Sequence, residues 1–69
     1  MKLLDVVVLI KDLPDLGLRK GQVGTVIEVY EPGEFEIEFG DLQGKTYTLE
    51  ILNTNELMQI HYSPLPETA

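Results

Sequence analysis

Few side chains in this sequence could take part in catalysis. His61 is the only histidine, and the chain contains no cysteine. A nucleophile and its base would therefore have to combine His61 with Ser63 or a threonine, close to a flexible end of the chain. We expect a solvated or edge-strand histidine instead, and we predict that the protein is not an enzyme.

Carboxylates are the abundant ionisable groups. Two carboxylates can divide acid and base roles only where a pocket separates their pKa values, and on a sheet surface they more often form a solvated face. Asp41 and Glu38 could meet at a turn, but their spacing matches no calcium-binding loop. Without cysteine, thiolate zinc sites are excluded. We predict no catalytic residue, no metal and no cofactor.

Length and charge limit the classes of partner. At 69 residues the chain forms one domain at most, whose core supplies about 3–5 kcal/mol of net stability. Twelve acidic and five basic residues give a net charge of −7, which repels phosphate backbones and anionic membranes. We predict no nucleic-acid and no membrane binding. Leu3–Ile10 is too short for a membrane span and no cleavage site follows it, so we expect a cytoplasmic protein.

Three β-branched or aromatic runs, separated by glycine-containing turns, predict an antiparallel meander. These runs are Lys20–Tyr30, Glu34–Phe39 and Lys45–Ile51. The middle run alternates strictly between two sets of side chains, Phe35, Ile37, Phe39 and Glu34, Glu36, Glu38. A period of two places one set on the core face of a strand and the other on the solvent face.

The first hairpin of the meander is predicted to contain a bulge. Val26 and Val29 are both expected to point inward although their parity differs, which requires an irregularity near Ile27 and Glu28. Gly21 and Gly24 would allow positive φ and close chain approach. Pairing Ile37 with Val29 requires an odd number of residues in the loop around Pro32-Gly33.

The second hairpin is predicted to pair Ile37 with Tyr47, and Phe35 with Leu49, across a connection from Gly40 to Gly44. This register assigns Tyr47 to the core. It also gives the sheet an outer face with four carboxylates and no basic residue, namely Glu34, Glu36, Glu38 and Glu50.

The remaining segments complete a five-stranded fold. Leu3–Ile10 is the predicted first strand and Lys11–Lys20 a long loop, because Pro14 and Gly17 interrupt any ladder. The loop carries three leucines that either fold back to close one end of a barrel or form an exposed apolar patch, namely Leu13, Leu16 and Leu18.

At the C-terminal side, the spacing of Asn53 and Glu56 is that of a helix start, but the segment can support only a single helical turn. Leu57–Tyr62 is the predicted last strand. The tail, residues 63–69, contains two prolines and no periodicity, and we predict it to be disordered. The domain is therefore expected to span residues 1–62.

These features resemble an all-β, small five-stranded SH3-like barrel with one short helical turn before the last strand. More narrowly, the sequence resembles a family of short bacterial proteins, common in cyanobacteria, known as domain of unknown function 4926. The segments that carry this resemblance are Leu4-Asp5-Val6-Val7, Asp12-Leu13-Pro14, Gly17-Leu18, Arg19–Val26 and Phe35–Phe39. The resemblance implies the fold and implies no activity.

Two functions remain open. The first is a non-catalytic module that binds a larger, basic protein partner, one encoded next to it being the first candidate. Its predicted contact residues are the acidic sheet face and the apolar loop, namely Glu34, Glu36, Glu38, Glu50, Leu13, Leu16 and Leu18. An antitoxin-like neutraliser of a basic toxic partner is one setting for it. The second is a small homo-oligomeric structural unit that pairs through its first and last strands.

Overall fold

The computed structural model describes residues 1–41, 43 and 45–61, except for the side chain of Tyr47. It contains five strands, β1 (Val6–Leu9), β2 (Val23–Tyr30), β3 (Glu34–Gly40), β4 (Thr46–Asn53) and β5 (Leu57–Gln59). Short 3₁₀ helices occur at Pro14–Leu16 and Thr54–Glu56. The predicted all-β fold, its five strands and the helical turn before the last strand are confirmed. Across the described residues we find no helix with the length and apolar character needed to cross a membrane.

All five strands form one antiparallel sheet in the order β4-β3-β2-β1-β5. The two edge strands do not pair with each other, so the sheet is not closed into a barrel, and the prediction of closure is wrong. Closure needs the last strand to continue across the gap between the edges. β5 has only three residues, and all three pair with β1. β1 is therefore an internal strand rather than the edge that we expected.

The beginning of β2 follows the prediction made from its glycines. Gly21 has a φ of 97°, in the region that favours glycine. Gly24 has no room for a side chain, because a Cβ atom there would lie 2.5 Å from Cγ2 of Ile37. The predicted bulge is present as a register shift between Val26 and Glu28.

The first hairpin has the predicted odd loop, residues 31–33, but its register differs from the prediction. Ile37 lies opposite Val26, and Val29 lies opposite Phe35. Val26 is fully buried, whereas Val29 is 40% exposed and was wrongly expected in the core. The reason is that β1 pairs with β2 only at residues 23–25 and does not extend to the hairpin end where Val29 lies.

The predicted register of the second hairpin is wrong. Ile37 lies opposite Glu50, and Phe35 lies opposite Leu52. β4 continues to Asn53, and an irregularity at Phe39 and Gly40 shifts the ladder. A change of odd size in register reverses the face of every side chain in the strand, so Leu52 rather than Leu49 enters the core. The side chain of Tyr47, predicted to be buried, lies outside the described residues.

Among the described residues, the core contains nine buried apolar side chains drawn from the five strands and the loop before β2, namely Val7, Leu9, Leu18, Val26, Phe35, Ile37, Phe39, Leu52 and Leu57. Asn53 and Glu56 form a capping box around the 3₁₀ turn that leads into β5. This local signal was sufficient to place the turn correctly. β5 ends at Gln59, so the predicted extension of the last strand through Ile60 and His61 is wrong. Tyr62 and the tail, predicted to be disordered, lie outside the described residues.

The loop from Lys11 to Lys20 is closed by its own hydrogen bonds. Leu13 and Leu18 form an isolated antiparallel bridge around the 3₁₀ turn Pro14–Leu16. The Asp12 carboxylate accepts a hydrogen bond of 2.8 Å from the backbone N–H of Lys20. These contacts hold Leu18 over the core, where it is 3% exposed.

Candidate interaction surface

The outer side of the sheet carries a group of carboxylates, which we call the acidic face and which consists of Glu28, Glu34, Glu36 and Glu38. Glu28 comes from β2, beyond the bulge, and the other three come from β3. Glu28 lies directly opposite Glu36 in the ladder. Glu28 and Glu34 are exposed, and Glu36 and Glu38 are half-buried. Three of the four were predicted on this face; Glu28 was missed because the bulge decides its orientation.

Two hydroxyl groups fix carboxylates within this face. The Tyr30 hydroxyl donates a hydrogen bond of 2.8 Å to Oε1 of Glu36, and the Thr46 hydroxyl donates one of 2.5 Å to Oε2 of Glu38. The bond to Glu36 raises the pKa of Tyr30 above its ordinary value of 10.0, with smaller contributions from desolvation and from the charges of Glu36 and Glu28. Glu36 and Glu38 are therefore held as hydrogen-bond acceptors.

In the part of the chain that the structure describes, no cation neutralises the acidic face. The ion pair that does occur joins Nζ of Lys2 to Oδ1 of Asp5 at 3.6 Å. There the backbone N–H of Lys2 donates to the Asp5 carboxylate, and this bond is the main cause that lowers the pKa of Asp5. Like charges directly opposite each other in a sheet are destabilising, so the Glu28 and Glu36 pair opposes folding.

Glu50 does not join the acidic face, contrary to the prediction. It lies opposite Ile37, on the core side of the sheet, and is half-buried. Its carboxylate accepts a hydrogen bond of 2.9 Å from the Thr48 hydroxyl. The reversed register of β4 explains this placement.

The three loop leucines separate into different environments. Leu18 belongs to the core, and Leu13 is half-buried and packs against it. Leu16 is 40% exposed. The loop therefore follows the interpretation in which its leucines cover the core, and only Leu16 remains as part of an outer surface.

Two exposed apolar residues lie beside the acidic face, and one of them, Leu49, was predicted in the core. Leu49 and Ile51 are 48% and 57% exposed, and they lie opposite Glu38 and Glu36. We call them the β4 apolar pair. The signal in the sequence was the odd spacing between this pair and Leu52, because only one of the two parities can face the core.

Other parts of the described surface show little that could perform chemistry. His61 is exposed. The solvent-facing depressions include one of about 560 Å³ beside Asp12, Arg19 and Lys20, and one of about 360 Å³ beside Glu38 and Asp41. No group of three or more acidic or histidine side chains is placed to hold a metal ion within the described ranges.

The architecture defines a small all-β domain built on one open antiparallel sheet. The sequence profile of the domain of unknown function DUF4926 matches residues 3–59. The chain belongs to this family, and the family resemblance inferred from the sequence is confirmed. No curated protein and no solved structure matches the chain.

Proposed function

We propose that this protein is a non-catalytic interaction module whose acidic face docks on a basic surface of a larger protein. The earlier expectation is thereby revised in its residues: Glu28 joins the face, Glu50 leaves it, and the β4 apolar pair replaces the buried leucines Leu13 and Leu18. A cytoplasmic setting fits the absence of cysteine from the sequence. We also propose that the domain is related to SH3-like folds, with a sheet that stays open. The proposed setting is bacterial and includes cyanobacteria.

The observation that carries this proposal is the direct opposition of Glu28 and Glu36. A domain of this size has about 3–5 kcal/mol of net stability, and an opposed like-charged pair removes about 0.2–1 kcal/mol of it. A basic or neutral residue at either position would remove the repulsion. A basic partner surface would attract both carboxylates and would thereby offset the repulsion between them.

Long-range charge supports the same proposal. A net charge of −7 on 69 residues creates a field that accelerates encounter with a basic surface and slows encounter with an acidic one. The same field disfavours binding to nucleic acids and to anionic membranes. We accordingly propose a protein partner, no nucleic acid, no membrane and no enzymatic activity.

The test is affinity capture of partners from native lysate with matched charge variants of this protein as bait. The product of the neighbouring open reading frame is the first candidate to be assayed for binding. Glu36→Lys with Glu38→Lys reverses the acidic face. Asp15→Lys with Glu31→Lys changes the net charge equally on exposed residues outside that face. We expect the first variant to lose the partner and the second to retain it. Equal retention by both variants would exclude the acidic face from recognition.

A homo-oligomeric unit is the second candidate, favoured by the exposed β4 apolar pair on an edge strand. Self-association would bring two strongly acidic chains together, which is electrostatically unfavourable at low salt. Sedimentation at high micromolar concentration distinguishes the two candidates. A stable dimer favours the structural unit, and a monomer favours the heterotypic module, of which an antitoxin-like neutraliser is one form.

A further inference from the structure

We infer that the free edge of β4 accepts an extended segment of the partner as a sixth strand, with Lys or Arg at alternate positions. This inference rests on the proposed function and specifies its mode of binding. It depends on three properties of β4: an open edge, sparse edge protection, and the charge beside it.

Among the described residues, no segment pairs with the outer edge of β4. β4 has eight residues and pairs only with β3 among the described strands. In an antiparallel ladder, alternate residues direct their N–H and C=O groups away from the neighbouring strand, so about four residues of β4 present these groups outward. The other edge, β5, has only three residues. β4 is therefore the longer template for pairing.

The edge has only one of the usual protections against pairing, an inward-pointing charge. Natural edge strands are blocked by lysine, proline, inward-pointing charges or short length. Between Thr46 and Asn53 there is no lysine and no proline. The one charged residue is Glu50, which lies on the core side and accepts the Thr48 hydrogen bond. Leu49 and Ile51, by contrast, are exposed on the outer side.

The charge beside the edge selects the occupant. Strands lie about 4.8 Å apart, so a sixth strand would lie about 10 Å from β3 and its carboxylates. Lysine and arginine can lay their aliphatic stems over apolar side chains and extend their charged groups beyond them. On the outer face, the stems would cover Leu49 and Ile51, and the charged groups would approach Glu38 and Glu36.

The same charges argue against a second copy of this chain at the edge. Antiparallel pairing of β4 with β4 would bring Glu36, Glu38 and Glu50 of two molecules together. Neither β3 nor β4 contains a basic residue that could offset these charges. Like-charge contact of this kind costs free energy of association. An extended segment with basic residues on the outer face gains attraction to Glu36 and Glu38 instead.

The probe is a blocked eight-residue peptide that alternates lysine and valine, matching the eight residues of β4. Successive N–H groups of an extended peptide point to opposite edges. Methylating the amide nitrogens of all valines therefore removes the donors of one edge, and methylating those of all lysines removes the donors of the other. Both methylated peptides keep the charge and the side chains of the parent peptide.

We expect the parent peptide to bind the full chain and one methylated peptide to bind at least about tenfold more weakly, since two or more backbone hydrogen bonds are lost. The other methylated peptide should bind like the parent. On binding, the outward-facing amides of β4 should exchange hydrogen more slowly, and the pKa of Tyr30 should fall as a cation engages Glu36.

The possible failures have different meanings. Equal binding of all three peptides, abolished by Glu36→Lys with Glu38→Lys, would overturn strand addition and leave the acidic face as the docking surface. No binding of the parent peptide would also overturn strand addition, and the lysate capture then decides the proposed function separately. Slow exchange of the outward β4 amides in the free protein, or a β4-paired dimer, would mean that the chain itself covers the edge and would overturn the inference.

Discussion

The two faces of β3 differ in the side chains that surround them, although both belong to one short strand. On the core side, Phe35, Ile37 and Phe39 are at most 5% exposed. On the outer side, Glu36 lies opposite another glutamate. The first face supplies stability, and the second opposes it. The opposed pair costs stability, and the outer face that carries it is the one we propose for binding.

The largest effect is expected on the core face. Ile37→Ala should destabilise the fold by about 2–5 kcal/mol, because it removes fully buried methyl and methylene groups. This is comparable with the whole net stability expected at this length, so the variant should be largely unfolded in urea titrations monitored by circular dichroism. Glu36→Ala is the matched control on the other face and should unfold no earlier than the wild type. Equal loss in both variants would remove the distinction between the faces.

A somewhat smaller effect is expected at Gly24, where the core face meets β2. Gly24→Ala would place Cβ 2.5 Å from Cγ2 of Ile37 and 3.0 Å from Cε1 of Phe39. Such overpacking costs about 1–3 kcal/mol. Leucine at position 37 lacks the Cγ2 branch, so Gly24→Ala combined with Ile37→Leu should lose less stability than the sum of the single changes. Strict additivity in this double-mutant cycle would place the origin of the cost elsewhere.

Removing one opposed charge should act in the opposite direction. Glu28→Gln is expected to stabilise the fold by about 0.2–1 kcal/mol, since it ends the repulsion with Glu36. Its control is Glu31→Gln, which makes the same change in net charge on the exposed hairpin loop. Denaturant midpoints measured at low and high salt should show a gain for Glu28→Gln that shrinks as salt rises. A loss of stability would contradict the assignment of the pair as repulsive.

The smallest effect concerns Tyr30, whose hydroxyl donates to Glu36. Because its pKa is raised from 10.0, the folded state holds the phenolic proton more strongly than the unfolded chain. The resulting stabilisation is complete below pH 10.0 and is lost as pH rises through the folded pKa. Ultraviolet titration of the wild type and Glu36→Gln, with Tyr30→Phe to identify the signal, should show a lower Tyr30 pKa in Glu36→Gln. An unchanged Tyr30 pKa would show that the hydrogen bond is not formed in solution.

Sequence reasoning succeeded where the determining contacts are local. Asn53 and Glu56, which form the capping box, are separated by only two residues in sequence, so the turn was placed correctly. The alternation in β3 placed six side chains on their correct faces. The parity conflict between Val26 and Val29 indicated a bulge that is present. The solvent exposure of Val29 could not be predicted, since it depends on how far β1 extends.

It failed where register depends on distant parts of the chain. In β4, Leu49 and Leu52 differ in parity, and the predicted register placed Leu49 on the core side. The irregularity at Phe39 and Gly40 and the continuation of β4 to Asn53 reverse that choice. The candidate surface therefore changed, with Glu50 lost and the β4 apolar pair gained. Barrel closure failed for a related reason, since it depends on contact between the two ends of the sheet.

The pairing of β1 with β5 also determines when this protein can fold during its synthesis. Val7 pairs with Gln59 and Leu9 with Leu57, so nearly the whole domain must leave the ribosome before that ladder forms. Until then, the backbone of β1 can pair with β2 only, and its other edge stays exposed. Exposed strand edges promote aggregation. The sheet is complete only with β5, a three-residue strand that contributes one buried leucine. A growing chain that stalls before residue 57 would therefore present an unfinished sheet to chaperones and proteases.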